Sequence, residues 1–67
     1  MPPSDRDTYR TARLIIDRHG DEAGLYAAGR ADQLLEAGDI AGAIVWRRIG
    51  AAIEELRRAR RPDEAVN

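Results

Sequence analysis

One imidazole and a dense set of carboxylates are the first places to look for chemistry in this chain. His19 is the only histidine, and Asp17, Asp21 and Glu22 lie within three residues of it. A zinc site needs several nitrogen or sulfur ligands, and a hard-cation site needs a defined cage of oxygens. One histidine and no cysteine spell out neither. His19 therefore reads as structural, at a helix C-terminus where the dipole favours a charged imidazole. Ser4 lies in the N-terminal tail, away from any base, and the glycines are isolated from one another rather than gathered in a phosphate-cradling loop. Acid–base work at neutral pH draws mainly on histidine and on tuned carboxylates. The expectation is a non-enzymatic protein with no cofactor, metal or small-molecule substrate.

The basic residues raise a second kind of chemistry. All eleven are arginine, and the net charge is −1, so the molecule as a whole has no bias toward nucleic acid or acidic membranes. Arg57, Arg58, Arg60 and Arg61 could touch phosphates without reading sequence, although Glu54, Glu55, Asp63 and Glu64 dilute them. A recognition helix beginning Ile40-Ala41-Gly42-Ala43-Ile44 would offer no donors to base edges. Weak nucleic-acid binding through the four arginines is kept as the alternative function. Trp46-Arg47-Arg48 is the other surface candidate, because tryptophan and arginine are enriched at binding hot spots. Trp46 reads either as a plug at the core edge or as an interface residue.

These residues must be positioned by helices. Gly20-Asp21 and Gly38-Asp39 each read as a helix stop followed by a helix start. Glycine reaches the left-handed conformation that ends a helix, and aspartate accepts from the orphan N–H groups of the next one. The two pairs cut the chain into helices over about 5–18, 22–37 and 40–60. The first has Tyr9, Ala12, Ile15, Ile16 and His19 on one face, with Leu14 on the other. The second has Ala23, Ala27, Ala31, Leu34 and Leu35, small enough at its start to let a neighbour come close; Arg30 borders this stripe, Tyr26 flanks it and Leu25 points away. The third has two seams. Val45, Ile49, Ala52, Ile53 and Leu56 form one, extended by Trp46, and Ile40, Ile44 and Ala51 form the other. The segments 20–24 and 38–42 echo one another, which reads as repeated capping chemistry.

The expected fold is all-α: a three-helix up-down-up bundle with short Gly-Asp turns, in a single small domain over 1–67 with loose ends at about 1–4 and 62–67. Chains of this size bury only about 60% of their unfolded surface. No disulfide can compensate, because there is no cysteine. The two-seamed third helix is then too large for its partners to cover. A protein–protein interaction module follows, one that self-associates as a homodimer through helix three or docks on a larger partner as a small accessory protein. The candidate interface residues are Ile40, Ile44, Trp46 and Ala51, joined by Leu14, Leu25 and Tyr26. No stretch approaches the roughly 20 apolar residues of a membrane span, and Met1-Pro2-Pro3-Ser4-Asp5 does not read as a signal peptide. The expected location is the cytoplasm.

The run His19-Gly20-Asp21-Glu22-Ala23, then Arg30-Ala31-Asp32, Leu34-Leu35-Glu36-Ala37-Gly38-Asp39, Val45-Trp46-Arg47-Arg48-Ile49 and Ala52-Ile53-Glu54-Glu55-Leu56 resembles a family of short uncharacterised proteins, mainly from alphaproteobacteria. The resemblance covers about residues 9–58. It implies a free-standing small cytoplasmic protein of bacteria and brings no activity or site residue with it. Residues 31–53 also resemble the turn of a tetratricopeptide-type helical hairpin, which implies a binding role.

Overall fold

The structure, a computed structural model, describes residues 5–59. The expected loose ends, and with them Arg60 and Arg61, lie outside the described residues. Helix α1 is Asp5–His19, with Asp5 and Asp7 in its first turn and Arg18 and His19 in its last. That charge order suits the helix dipole at both ends. A single 3-10 turn, Gly20–Glu22, leads directly into α2, Ala23–Glu36. Helix α3 is Ile40–Ala59. The described residues are helical, as expected, but the first junction differs from the expected helix stop and helix start. Counted as contiguous helical segments there are two stretches among them, 5–36 and 40–59, with α1 and α2 joined in the first by the 3-10 turn that begins at Gly20.

The second junction follows the capping expectation closely. Gly38 has φ 84°, the Asp39 N–H donates to the Leu34 carbonyl at 2.8 Å, and the Gly38 N–H donates to the Leu35 carbonyl at 3.0 Å. This pair of bonds is the Schellman motif, which satisfies carbonyls that α2 leaves open. Asp39 then caps α3: its Oδ1 accepts from the Gly42 N–H at 2.9 Å. The carboxylate folds so tightly over α3 that a Cβ at Gly42 would stand 2.6 Å from Oδ2.

The first junction shares only the glycine conformation. Gly20 has φ 57°, but neither His19 nor Glu22, which precede the 3-10 turn and α2, makes a side-chain cap bond. The Ala23 N–H donates to the Gly20 carbonyl instead, closing a 3-10 turn that runs straight into α2. Asp21 is one of the turn residues rather than the residue that precedes α2.

The core is aliphatic and rich in alanine. Ala12, Ile15, Ala23, Ala27, Ile49, Ala52 and Ile53 form its buried cluster, with Tyr9, Ile16, Val45, Trp46 and Leu56 packed against it. Ile53 is the one large side chain fully buried among the described residues. Helix α2 runs antiparallel to α3, with Asp21 beside Arg57 and Arg30 over Trp46. The small face of α2 brings them close: a Cβ at Gly50 would stand 3.7 Å from that of Ala27. Tyr9 ties α1 to α3, its hydroxyl donating to Glu55 Oε2 at 2.8 Å.

Three placements depart from the expected stripes. Leu35 is 47% exposed, while Leu34 is half-buried. Successive helical residues lie about 100° apart, so only one of the two can face α3. Thr8 and Ala43 are buried although neither was assigned to a stripe. No helix among the described residues is long and apolar enough to cross a membrane.

Candidate interaction groove

An open groove of about 510 Å³ runs along the junction of α2 and α3. It exists because the residues facing it are small. Gly24 and Ala28 line it from α2 and Gly50 from α3, so nothing bulky fills the space between the two helices. A Cβ at Gly24 would meet Glu54 Oε2 at 3.2 Å, which shows how closely the Glu54 side chain lies along α2. Trp46 supplies the one large apolar surface on the α3 side, and Leu25 supplies it on the α2 side. Asp21, Arg47, Glu54 and Arg57 complete the lining, two acidic and two basic.

Trp46 is held in place by an array of rings and charges. Tyr26 meets it edge-on, with centroids 5.8 Å apart and planes at 75°. His19 stacks on Tyr26 at 4.1 Å and 16°. The Arg30 guanidinium stands 5.6 Å from the Trp46 ring centroid, and its Nη1 donates to Gln33 Oε1 at 2.9 Å. Aromatic pairs of this kind contribute about 0.5–1.5 kcal/mol beyond the area they bury. The array therefore links the end of α1, the first turns of α2 and the first half of α3. The structural role read for His19 takes this form: a stacking partner across the first junction.

The expected interface residues fall into separate places. Leu25 and Trp46 share the groove, and Tyr26 touches Trp46 from α2. Leu25 is 78% exposed, the most exposed of the large apolar side chains among the described residues. Ile40 and Ile44 are exposed one turn apart on α3 and do not line the groove. Ala51 is exposed but lines a different cleft, at the start of α1, together with Asp5, Thr8, Tyr9 and Arg48. Leu14 is half-exposed on α1 and outside the groove. Trp46 thus faces α2 and the groove rather than joining Ile40, Ile44 and Ala51 in one seam.

Sequence reasoning missed Gly24, Ala28, Gly50, Arg47 and Glu54 as parts of one surface. Gly24 and Ala28 are four residues apart, and Arg47, Gly50 and Glu54 follow at three and four, so helical spacing carried the signal. Of the arginine cluster, Arg57 donates from Nη1 to the Asp21 carbonyl at 3.3 Å, which gives it a tertiary role at the first junction. Arg58 is exposed.

Two further features bear on chemistry. Among the described residues no group of three or more histidine and carboxylate side chains could hold a metal ion. The phenol of Tyr9 is pushed above its ordinary pKa, first by its hydrogen bond to Glu55, then by removal from water and by the negative charges of Glu55 and Asp5.

No curated protein and no solved structure matches the chain. One family model does, over residues 5–61, which takes in all of the described residues. The chain belongs to that family, DUF6961, a family of unknown function.

Proposed function

We propose that this protein is a non-enzymatic interaction module that self-associates, with a homodimer as its working form. We read the stretch 5–36 as two arms folded at Gly20, which with α3 make an up-down-up unit. One observation carries the functional reading. Among the described residues the buried large apolar side chains are Ile15, Ile49 and Ile53, while Leu14, Leu25, Tyr26, Leu35, Ile40 and Ile44 are between 38% and 78% exposed. A chain this short leaves about 40% of its unfolded surface in contact with solvent. Here that surface includes six large apolar side chains among the described residues. Association with a second copy removes them from water at roughly 25 cal/mol per Å² of apolar surface.

The test is absolute mass by light scattering behind size exclusion, from low to high micromolar concentration. A mass of two chains that dissociates on dilution is the expected result. A single-chain mass throughout, with a cooperative melt, overturns the reading.

A further inference from the structure

We infer that the self-association face is the α2–α3 groove, closed by the same groove of a second copy about a two-fold axis. This rests on the self-association reading above and specifies its geometry. Arg47 and Glu54 both line the groove and lie seven residues apart, about two turns, on one flank of α3. The midpoint between them is the Gly50–Ala51 peptide. A two-fold axis there sets two α3 helices antiparallel, with Arg47 opposite the partner's Glu54 and Glu54 opposite the partner's Arg47. A two-fold interface requires this kind of reciprocity, because the same patch serves on both sides.

Two other features fit a second copy. Leu25 projects at the edge of the groove, 78% exposed, beside the half-buried Trp46. A knob and a hole on one patch let each copy fill the other. The charged lining, Asp21 and Glu54 against Arg47 and Arg57, sums to zero. A patch balanced in this way complements itself and offers little to a strongly acidic or basic partner.

The experiment is the same light-scattering series on the wild type and on five variants. These are Leu25→Asp, Arg47→Glu, Glu54→Arg, the double variant Arg47→Glu/Glu54→Arg, and Ile44→Asp as the rival face. Circular dichroism checks that each is folded. Leu25→Asp is expected to weaken the dimer by roughly a hundredfold, as charge placed where an apolar side chain inserts into the partner does. Each single reversal is expected to weaken it by roughly tenfold, and the double variant to restore it, because opposite charges again face each other. Leu25 and Arg47 are exposed, so their variants keep the test decisive if Glu54→Arg does not fold. A dimer that survives Leu25→Asp but is lost in Ile44→Asp leaves self-association standing and overturns the groove. Weakening by both single reversals without rescue in the double overturns the two-fold register. A wild type that is monomeric throughout overturns the self-association reading itself.

Discussion

The two Gly-Asp junctions begin from the same dipeptide and the same left-handed glycine, yet they are built differently. At Gly38-Asp39 the hydrogen bonds that shape the turn are local: Gly38 and Asp39 donate to the Leu35 and Leu34 carbonyls, and the Asp39 carboxylate accepts from Gly42. At Gly20-Asp21 a 3-10 turn joins α1 to α2, and long-range groups brace it. Arg57 reaches the Asp21 carbonyl from α3, and His19 stacks on Tyr26, which in turn rests on Trp46. The comparison teaches that a capping sequence is permissive rather than decisive. An N-cap residue must leave helical geometry while its carbonyl starts the new helix. Asp39 stands in that place, immediately before α3, whereas Asp21 lies inside the 3-10 turn that joins α1 to α2.

The largest expected effect comes from removing the brace of the first junction. Trp46→Ala should cost roughly 2 kcal/mol, about half the loss for a fully buried aromatic, because Trp46 is only half-buried. Urea denaturation measures the total. Amide exchange locates it: the Ala23 N–H, bonded across the first junction, should lose protection before the Gly42 N–H does. Equal loss at both would break the comparison.

Next comes the backbone of the glycines. Gly38→Ala should cost about 1–2 kcal/mol, the penalty for an L side chain in left-handed geometry. Space is not the issue, since a Cβ at either junction glycine meets nothing within 4 Å. Gly20 sits at the centre of the left-handed region, where asparagine is tolerated. Gly20→Asn should therefore stay within about 0.5 kcal/mol of wild type in the same denaturation series.

The sharpest contrast lies between the two aspartates. Asp39→Ala should lose about 1 kcal/mol with the cap. Asp21→Ala should change stability by less than about 0.5 kcal/mol, because its contribution to the junction is a backbone carbonyl that alanine retains. Thermal melts of the pair at one pH decide it, and equal losses would show that Asp21 caps after all.

The smallest effect concerns the other tie on α1. The Tyr9 phenol is held above its ordinary pKa by Glu55, so its hydrogen bond stabilises the fold below pH about 10. That stability is lost as pH rises through the folded-state value, where the ionised phenolate can no longer donate. Melting temperature followed from neutral to strongly alkaline pH should therefore fall more in the wild type than in Tyr9→Phe. Parallel profiles would remove Tyr9 as a pH-dependent tie between α1 and α3.

Much of the helical layout was legible because it depends on local spacing. The helix ends fall within one or two residues of the capping residues, and the Ala23, Ala27 and Ala31 stripe faces α3 as the periodicity requires. Leu25 is the outward residue that its position predicted. The misplacements have specific causes. Leu35 shares a turn with Leu34, and the sequence alone does not say which of the two turns inward. Thr8 and Ala43 carry no strong hydrophobic signal and were buried by the helices packed over them. The groove was hidden for the opposite reason, since it is made by side chains that are missing, at Gly24 and Gly50, on helices whose register only packing sets.

The sequence by itself determined an all-helical chain, the hairpin at Gly38-Asp39 and an aliphatic core face on each helix. Those features rest on hydrogen bonds and periodicities that span three to five residues, which neighbours in the chain can satisfy alone. Tertiary structure decided that a 3-10 turn at Gly20-Asp21 joins α1 to α2, that Trp46 faces α2 and the groove, and that Leu25, Arg47, Gly50 and Glu54 lie on one surface. Each of those outcomes depends on groups about twenty or more residues apart meeting across a helix interface, and the energy of such a contact exists only once the helices have packed.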